Sequence, residues 1–328
     1  MIFKNLDFHN IDHMEETEDG YKLVRVPEKL RLRLNDGAKN GTAYYATGAE
    51  IRFVMKGENA KLILRSAESK EAQVAYIIFG SVPGGWDYSR KIIYTHDTVI
   101  DIKRPDGKTL ELLYKDNDYP FDSEVVRVVL PFNPITFVDV IGDVCPPKRE
   151  QTPKLRYLAY GSSITHGSNA LTPVTSYAFQ TAENLGADLF NLGFAGSAHL
   201  EKEMAEWIVS RDDWDFATAE MGINLVDVME ADEFYKRASA FLDVLAKDKR
   251  TVYCTDMFTA GSDITNPEKM QKFRAIIREL TEGRFPYICG TELMTSTAGL
   301  SADFVHPNIR GVNEITQNLT KFIKDWSK

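Results

Sequence analysis

Cysteine is scarce in this chain: three among 328 residues, Cys145, Cys254 and Cys289, far apart and without any Cys-x-x-Cys spacing. Nothing therefore marks a disulfide framework or a redox pair, and Cys254 and Cys289 fall in apolar runs that read as buried strands. Long apolar runs are missing as well. No segment approaches the roughly 20 apolar residues that span a bilayer, so no membrane partner is expected. The opening residues Met1–Asp7 show no basic stretch leading into an apolar one. A cytoplasmic location is the expectation, or a secreted one if a leader has been trimmed. Basic residues are outnumbered, 39 Lys and Arg against 48 Asp and Glu, for a net charge of -9. A surface of that sign does not track phosphates, which argues against nucleic acid. The chain also has no Gly-x-x-x-x-Gly-Lys and no Gly-x-Gly-x-x-Gly after a strand, which removes the common nucleotide binders.

What is present is an ordinary globular composition, 43% hydrophobic and 27% charged, at a length that favours two domains. After about 40 polar, weakly periodic residues, alternation begins at Ile51, Phe53 and Met55. The turn Lys56-Gly57-Glu58-Asn59 leads to a second such run, Ala60 to Arg65, and the pair reads as a hairpin. Further strands are predicted at Gln73–Phe79, Arg90–Thr95, Val99–Lys103, Thr109–Tyr114 and Val125–Leu130, with Pro105-Asp106-Gly107 as a turn. Short strands without a long helix suggest an antiparallel β-sandwich over residues 1–147. The prolines and charges between Asp143 and Pro153 read as a linker.

From residue 153 to 328 the character changes. Strands predicted at Leu155–Tyr160, Asp188–Leu192, Phe216–Met221, Thr251–Thr255 and Tyr287–Cys289 alternate with amphipathic runs near 174–185, 200–210, 230–247, 267–282 and 311–326. Asn266-Pro267 opens one of these helices and Gly283 closes it. This pattern implies a parallel sheet covered on both faces by helices, a three-layer α/β fold of flavodoxin-like type.

Chemistry is concentrated at the ends of those strands. The run Tyr157–Gly167 delivers Gly161-Ser162-Ser163-Ile164-Thr165 at the carboxyl end of the first, where open α/β sheets bind ligands. The glycines of Asn191-Leu192-Gly193-Phe194-Ala195-Gly196 let backbone N–H groups face a ligand, which makes Gly196 a candidate donor. Asn224 follows the third strand and could offer its side-chain amide. Asp303 precedes His306 by three residues, so its carboxylate can take the imidazole Nδ1–H and turn the other nitrogen toward a serine. Asp-x-x-His could instead be a metal pair, but no third and fourth ligand with plausible spacing stand nearby, and no metal or cofactor is expected. In the Gly80–Tyr88 loop, Trp86 and Tyr88 could stack on a sugar. His166 and His199 adjoin site residues and could line the pocket.

The Ser163 turn resembles block I of the GDSL-type (SGNH) esterases, and the segments at Gly196, Asn224 and Asp303/His306 resemble the other three blocks in order. The resemblance spans about residues 153–328. Thr47–Phe53 resembles, more weakly, the opening of the jelly-roll domain that precedes the catalytic domain in carbohydrate esterase family 2. The resemblance implies a Ser163–His306–Asp303 triad and an oxyanion hole formed by Ser163, Gly196 and Asn224. Two positions depart from the family pattern: Ser162 stands where Asp is usual, and Leu225 stands where Asp usually follows the block III Asn.

The reading is a serine esterase that removes a short acyl group, foremost acetyl, from a small or oligosaccharide ester substrate. A thioesterase or lysophospholipase-type acylhydrolase is the alternative enzyme, and an inactive carbohydrate-binding protein the alternative outside enzymes. Homo-oligomerisation is left open.

Overall fold

The computed structural model describes residues 1–86 and 89–327. Its C-terminal part is a five-stranded parallel sheet in the order Ala187–Gly193, Leu155–Gly161, Phe216–Glu220, Thr251–Thr255, Tyr287–Ile288. Numbered by sequence this is 2-1-3-4-5, the flavodoxin-like arrangement. The central strands are short apolar runs because both of their faces are covered. Helices Lys202–Ser210, Ala231–Leu245 and Pro267–Thr281 bury one face around Phe234, Phe241, Leu242 and Phe273. Helices Tyr177–Leu185 and Ile309–Trp326 bury the other around Tyr157, Phe179, Ile315 and Leu319. Gly283 ends the Pro267 helix at φ +67°, as expected of a glycine stop, whereas the Asn266 side chain makes no capping bond.

The N-terminal part contains two antiparallel sheets, one of eight strands and one of five, facing each other across a core that includes Phe8, Ile51, Phe53, Leu62, Leu64 and Phe137. Three sequence expectations need correction here. The runs around Ile51–Met55 and Ala60–Arg65 do not form a hairpin. Glu50–Met55 pairs with Val125–Val129 and Leu6–His9, whereas Asn59–Ser66 pairs with Thr98–Lys103 and Ile135–Ile141 in the opposite sheet. The Lys56–Asn59 turn is thus an arch from sheet to sheet, and both runs turn their apolar residues to the shared core. Thr109–Tyr114 is not a strand but part of a helix, Gly107–Asp116; Asp106 caps it by accepting from the Lys108 N–H. The first 40 or so residues are more regular than their weak periodicity suggests. They hold strands Leu6–His9, His13–Thr17 and Gly20–Val24, and Val26, Leu30, Leu34 and Ala38 pack into the core of the α/β part.

The two parts are joined by buried polar contacts. Arg52 donates both terminal nitrogens to Asp188 at 2.9 and 2.6 Å, and Glu50 pairs with Arg52 and Arg127. Ala187–Gly193 is the edge strand of the parallel sheet, and its outward carbonyls would otherwise be orphaned. His9 Nε2 bonds the Leu189 carbonyl, while Asn10 Nδ2 and Arg25 Nη1 both donate to that of Asn191. No helix among the described residues is long and apolar enough to cross a membrane.

Candidate active site

Strand Leu155–Gly161 ends in a turn that the sequence forces to be tight. Ser162 is the N-cap of the short helix Ser163–His166, and its Oγ accepts from the Ile164 N–H at 3.1 Å. The serine that replaces the usual Asp therefore still satisfies one of the turn's free backbone donors. Ser163, the first helical residue, is 7% exposed, with its Oγ 2.7 Å from His306 Nε2. His306 Nδ1 lies 2.8 Å from Asp303 Oδ2. With Nδ1–H donated to the carboxylate, Nε2 is the nitrogen free to accept the serine proton.

The Asp303–His306 loop is fixed from several directions. Asp303 Oδ1 accepts the backbone N–H groups of Val305 and His306 at 3.0 and 2.9 Å, and Asn169 Nδ2 donates to Oδ2 at 2.7 Å. Burial would raise the Asp303 pKa, but the backbone bonds from His306 and Val305 and the imidazole outweigh it and hold the carboxyl at about 2. Asn308 caps the last helix through the Arg310 and Gly311 N–H groups, and the Gly261 N–H donates to the Phe304 carbonyl at 2.7 Å.

Strand Ala187–Gly193 leads into a turn in which the Ser197 N–H bonds the Phe194 carbonyl and Gly196 takes φ +67°. Asn191 braces it, accepting from the Gly193 N–H at 2.8 Å and donating to the Thr165 carbonyl at 2.9 Å. The Asn224 Oδ1 accepts from the Ala198 N–H at 3.1 Å, which leaves its amide nitrogen without a partner among the described residues. Ser163, Gly196, Asn224, Asp303 and His306 line one open cleft of about 390 Å³. Its remaining walls are apolar at Ala195, Ile223, Val226 and Val305, and polar at Ser168, Asp227 and Ser262.

Other expected contacts lie elsewhere. His166 is buried at the end of the short Ser163–His166 helix, its ring between Tyr45 and Phe132, and is not a wall of the cleft. Burial, aided by the nearby Arg25 charge, lowers its pKa to about 3, so it is a neutral packing group. His199 does not line the cleft either; its carbonyl accepts from Arg237. Trp86 is 96% exposed and outside the cleft, and Tyr88 lies outside the described residues. Leu225 is core rather than pocket floor, and Asp227, two residues on, lines the cleft together with Asp303.

Sequence reasoning missed Glu220. It is 1% exposed at the end of strand Phe216–Glu220, and its Oε2 accepts the Ser162 N–H at 2.6 Å and the Thr165 hydroxyl at 3.2 Å. Its position as the one charged residue in the run Phe216–Met221 was the available signal. A cluster of His13, Glu15 and Glu28 could approach a cation, but all three already have partners (Asp12, Tyr44 and Arg31) and none is at the cleft.

Residues 154–324 match the model of the GDSL-like Lipase/Acylhydrolase family. A search of curated proteins finds no sequence match. Among solved structures, the chain is similar over 99% of its length to a salicylyl-acyltransferase from a tetracycline biosynthetic pathway (13% identity, 95% of that chain, TM-score 0.77). It is similar over the same share to a family two carbohydrate esterase from Cellvibrio japonicus (13% identity, 96% of that chain, TM-score 0.65). A family two carbohydrate esterase from Clostridium thermocellum in complex with cellohexaose matches 98% of this chain (13% identity, 99% of that chain, TM-score 0.63). At such identities the likeness is one of fold, and it extends over both parts.

Proposed function

The chain belongs to the GDSL-like lipase/acylhydrolase family and is a carboxylic ester hydrolase; from that premise we propose that it removes short acyl groups, acetyl foremost, from a carbohydrate. Ser163 Oγ attacks the ester carbonyl while His306 Nε2 takes its proton, and His306 then returns that proton to the leaving alkoxide. Water repeats the sequence on the acyl-enzyme and frees the acid. Asp303 holds the imidazole tautomer and stabilises the imidazolium. The Ser163 and Gly196 N–H groups and the Asn224 amide receive the negative oxygen of each tetrahedral intermediate.

The observation that carries this reading is the unbroken bond series Ser163–His306–Asp303 beside a cleft that also contains Gly196 and Asn224. Support for a sugar alcohol comes from the open, partly polar cleft and from the fold likeness, over both parts, to two carbohydrate esterases. The experiment is hydrolysis of acetylated mono- and oligosaccharides beside a series of p-nitrophenyl esters of increasing chain length. Acetate release from sugars, with activity falling beyond about four carbons, is expected. A sharp preference for eight or more carbons would replace the sugar reading with a thioesterase or lysophospholipase one.

A further inference from the structure

Two buried charges flank the catalytic turns, and neither meets an opposite charge directly. Arg25, 1% exposed, donates Nη1 to the Asn191 carbonyl at 2.9 Å and Nη2 to the carbonyls of Thr42 and Gly193 at 2.6 and 3.0 Å. No carboxylate pairs with it among the described residues, and burial lowers its pKa to about 9. Glu220, equally buried, accepts from the Ser162 N–H and the Thr165 hydroxyl, has no partner on Oε1, and pairs with no Lys or Arg among the described residues. A lone buried charge of either sign is costly, so each needs compensation from somewhere.

Backbone connects them. The Gly193 carbonyl that accepts from Arg25 belongs to the peptide whose N–H, that of Phe194, donates to the Gly161 carbonyl at 2.8 Å. The Gly161 carbonyl belongs in turn to the peptide whose N–H, that of Ser162, donates to Glu220 at 2.6 Å. In a trans peptide the C=O and N–H point opposite ways. Both peptides thus turn their oxygen toward the guanidinium and their hydrogen toward the carboxylate. Their dipoles add, and each bond polarises the next. The path has no room for larger residues: a Cβ on Gly161 would stand 2.6 Å from Glu220 Oε2, and one on Gly193 2.2 Å from the His166 nitrogen.

We propose that Arg25 and Glu220 are positioning residues, the two ends of one polarised hydrogen-bond relay that locks the nucleophile turn against the oxyanion loop. The relay runs through the Gly161–Ser162 peptide, in the turn that carries Ser163, and the Gly193–Phe194 peptide, in the turn that carries Gly196, so it rests on the roles assigned to those residues above. It also gives the N-terminal part a task at the site. Among the described residues, none of that part lines the cleft, yet Arg25 sets the register of two turns that do.

A double-mutant cycle tests the relay. Glu220→Gln keeps an oxygen to accept the Ser162 N–H and puts a neutral amide nitrogen in place of the unpartnered Oε1; Arg25→Met removes the other end. The four proteins are compared for kcat and KM on p-nitrophenyl acetate and for the amide-proton chemical shifts of Ser162 and Phe194. Each single variant is expected to lose on the order of 10- to 100-fold in kcat, with KM within about threefold, because misplaced catalytic groups cost rate before binding. The double variant is expected to be no slower than the worse single one. Glu220→Gln should also shift the Phe194 amide proton, one peptide beyond its own hydrogen bond. Losses that multiply in the double variant, or a Phe194 resonance that Glu220→Gln leaves in place, would overturn the proposal. The shift arm needs no Arg25 variant, so it stands even if Arg25→Met does not fold. It needs no turnover either, whereas full activity in Ser163→Ala would refute the catalytic reading and leave the relay's test intact.

Discussion

His306 Nε2 lies 2.7 Å from Ser163 Oγ although 143 residues separate them. The contact exists because both residues sit at the carboxyl edge of the parallel sheet. Ser163 follows strand Leu155–Gly161, and the His306 loop is anchored by Asn308 on the last helix and by Gly261.

In the proposed mechanism Asp303 keeps that contact productive, and it bonds the imidazole and two backbone N–H groups of its own loop. Asp303→Asn would place an amide against His306 Nδ1 and favour the wrong tautomer. A loss on the order of 1000- to 10000-fold in kcat is expected, with little change in thermal stability. Steady-state kinetics on p-nitrophenyl acetate and a melting curve check it. A loss below about tenfold would show that the carboxylate only shapes the loop.

Asn224 lines the cleft and its Oδ1 is held by the Ala198 N–H, which leaves the amide nitrogen without a partner among the described residues. Asn224→Asp retains the acceptor and deletes the donors. Both it and Asn224→Ala should lose about 100- to 1000-fold in kcat if the amide binds the oxyanion. Near-normal turnover in Asn224→Asp would reduce the residue to a turn brace.

Stability should depend on the Arg52–Asp188 pair, because both side chains are buried and bidentate across the two parts. Asp188→Ala leaves the guanidinium with Glu50 alone, and a loss of about 3–5 kcal/mol is expected. Urea denaturation measures it. An unchanged midpoint would mean that the apolar contacts between the parts suffice.

His166 makes stability depend on pH. Its folded pKa is held near 3, against an ordinary 6.5, so between these values the unfolded chain binds a proton that the folded chain refuses. The stability present at neutral pH is therefore eroded as pH falls below about 6.5. His166→Phe removes this linkage and the unpartnered Nε2 with it. The urea midpoint of the variant should fall less between about pH 7 and 4.5 than that of the wild type. Parallel pH dependences would contradict the assignment.

The parts of this molecule that sequence reveals are those where one short stretch makes both a local shape and a local chemistry. Gly161–Thr165 specifies a strand end, a cap and a nucleophile at once, and Asp303–His306 specifies an orienting pair. Apolar runs of strand length likewise mark the parallel sheet, because burial on both faces leaves no other composition. Where an outcome depends on distant partners, or on a residue that reads equally as turn or cap, sequence is silent. The run 109–114 could serve as strand or helix, and Asp106 decides it by capping. Whether the Lys56–Asn59 turn makes a hairpin or an arch depends on which strands arrive later. Arg25 stands between Val24 and Val26, and Glu220 between Ala219 and Met221; such apolar flanks announce burial but not the backbone groups each meets.

Intact-mass analysis after incubation with a serine-directed organophosphonate, on wild type and Ser163→Ala, tests the central claim most directly. An activated Ser163 predicts a single adduct on the wild type and none on the variant. Folded wild-type protein that takes no adduct, or a variant that is labelled equally, would contradict it.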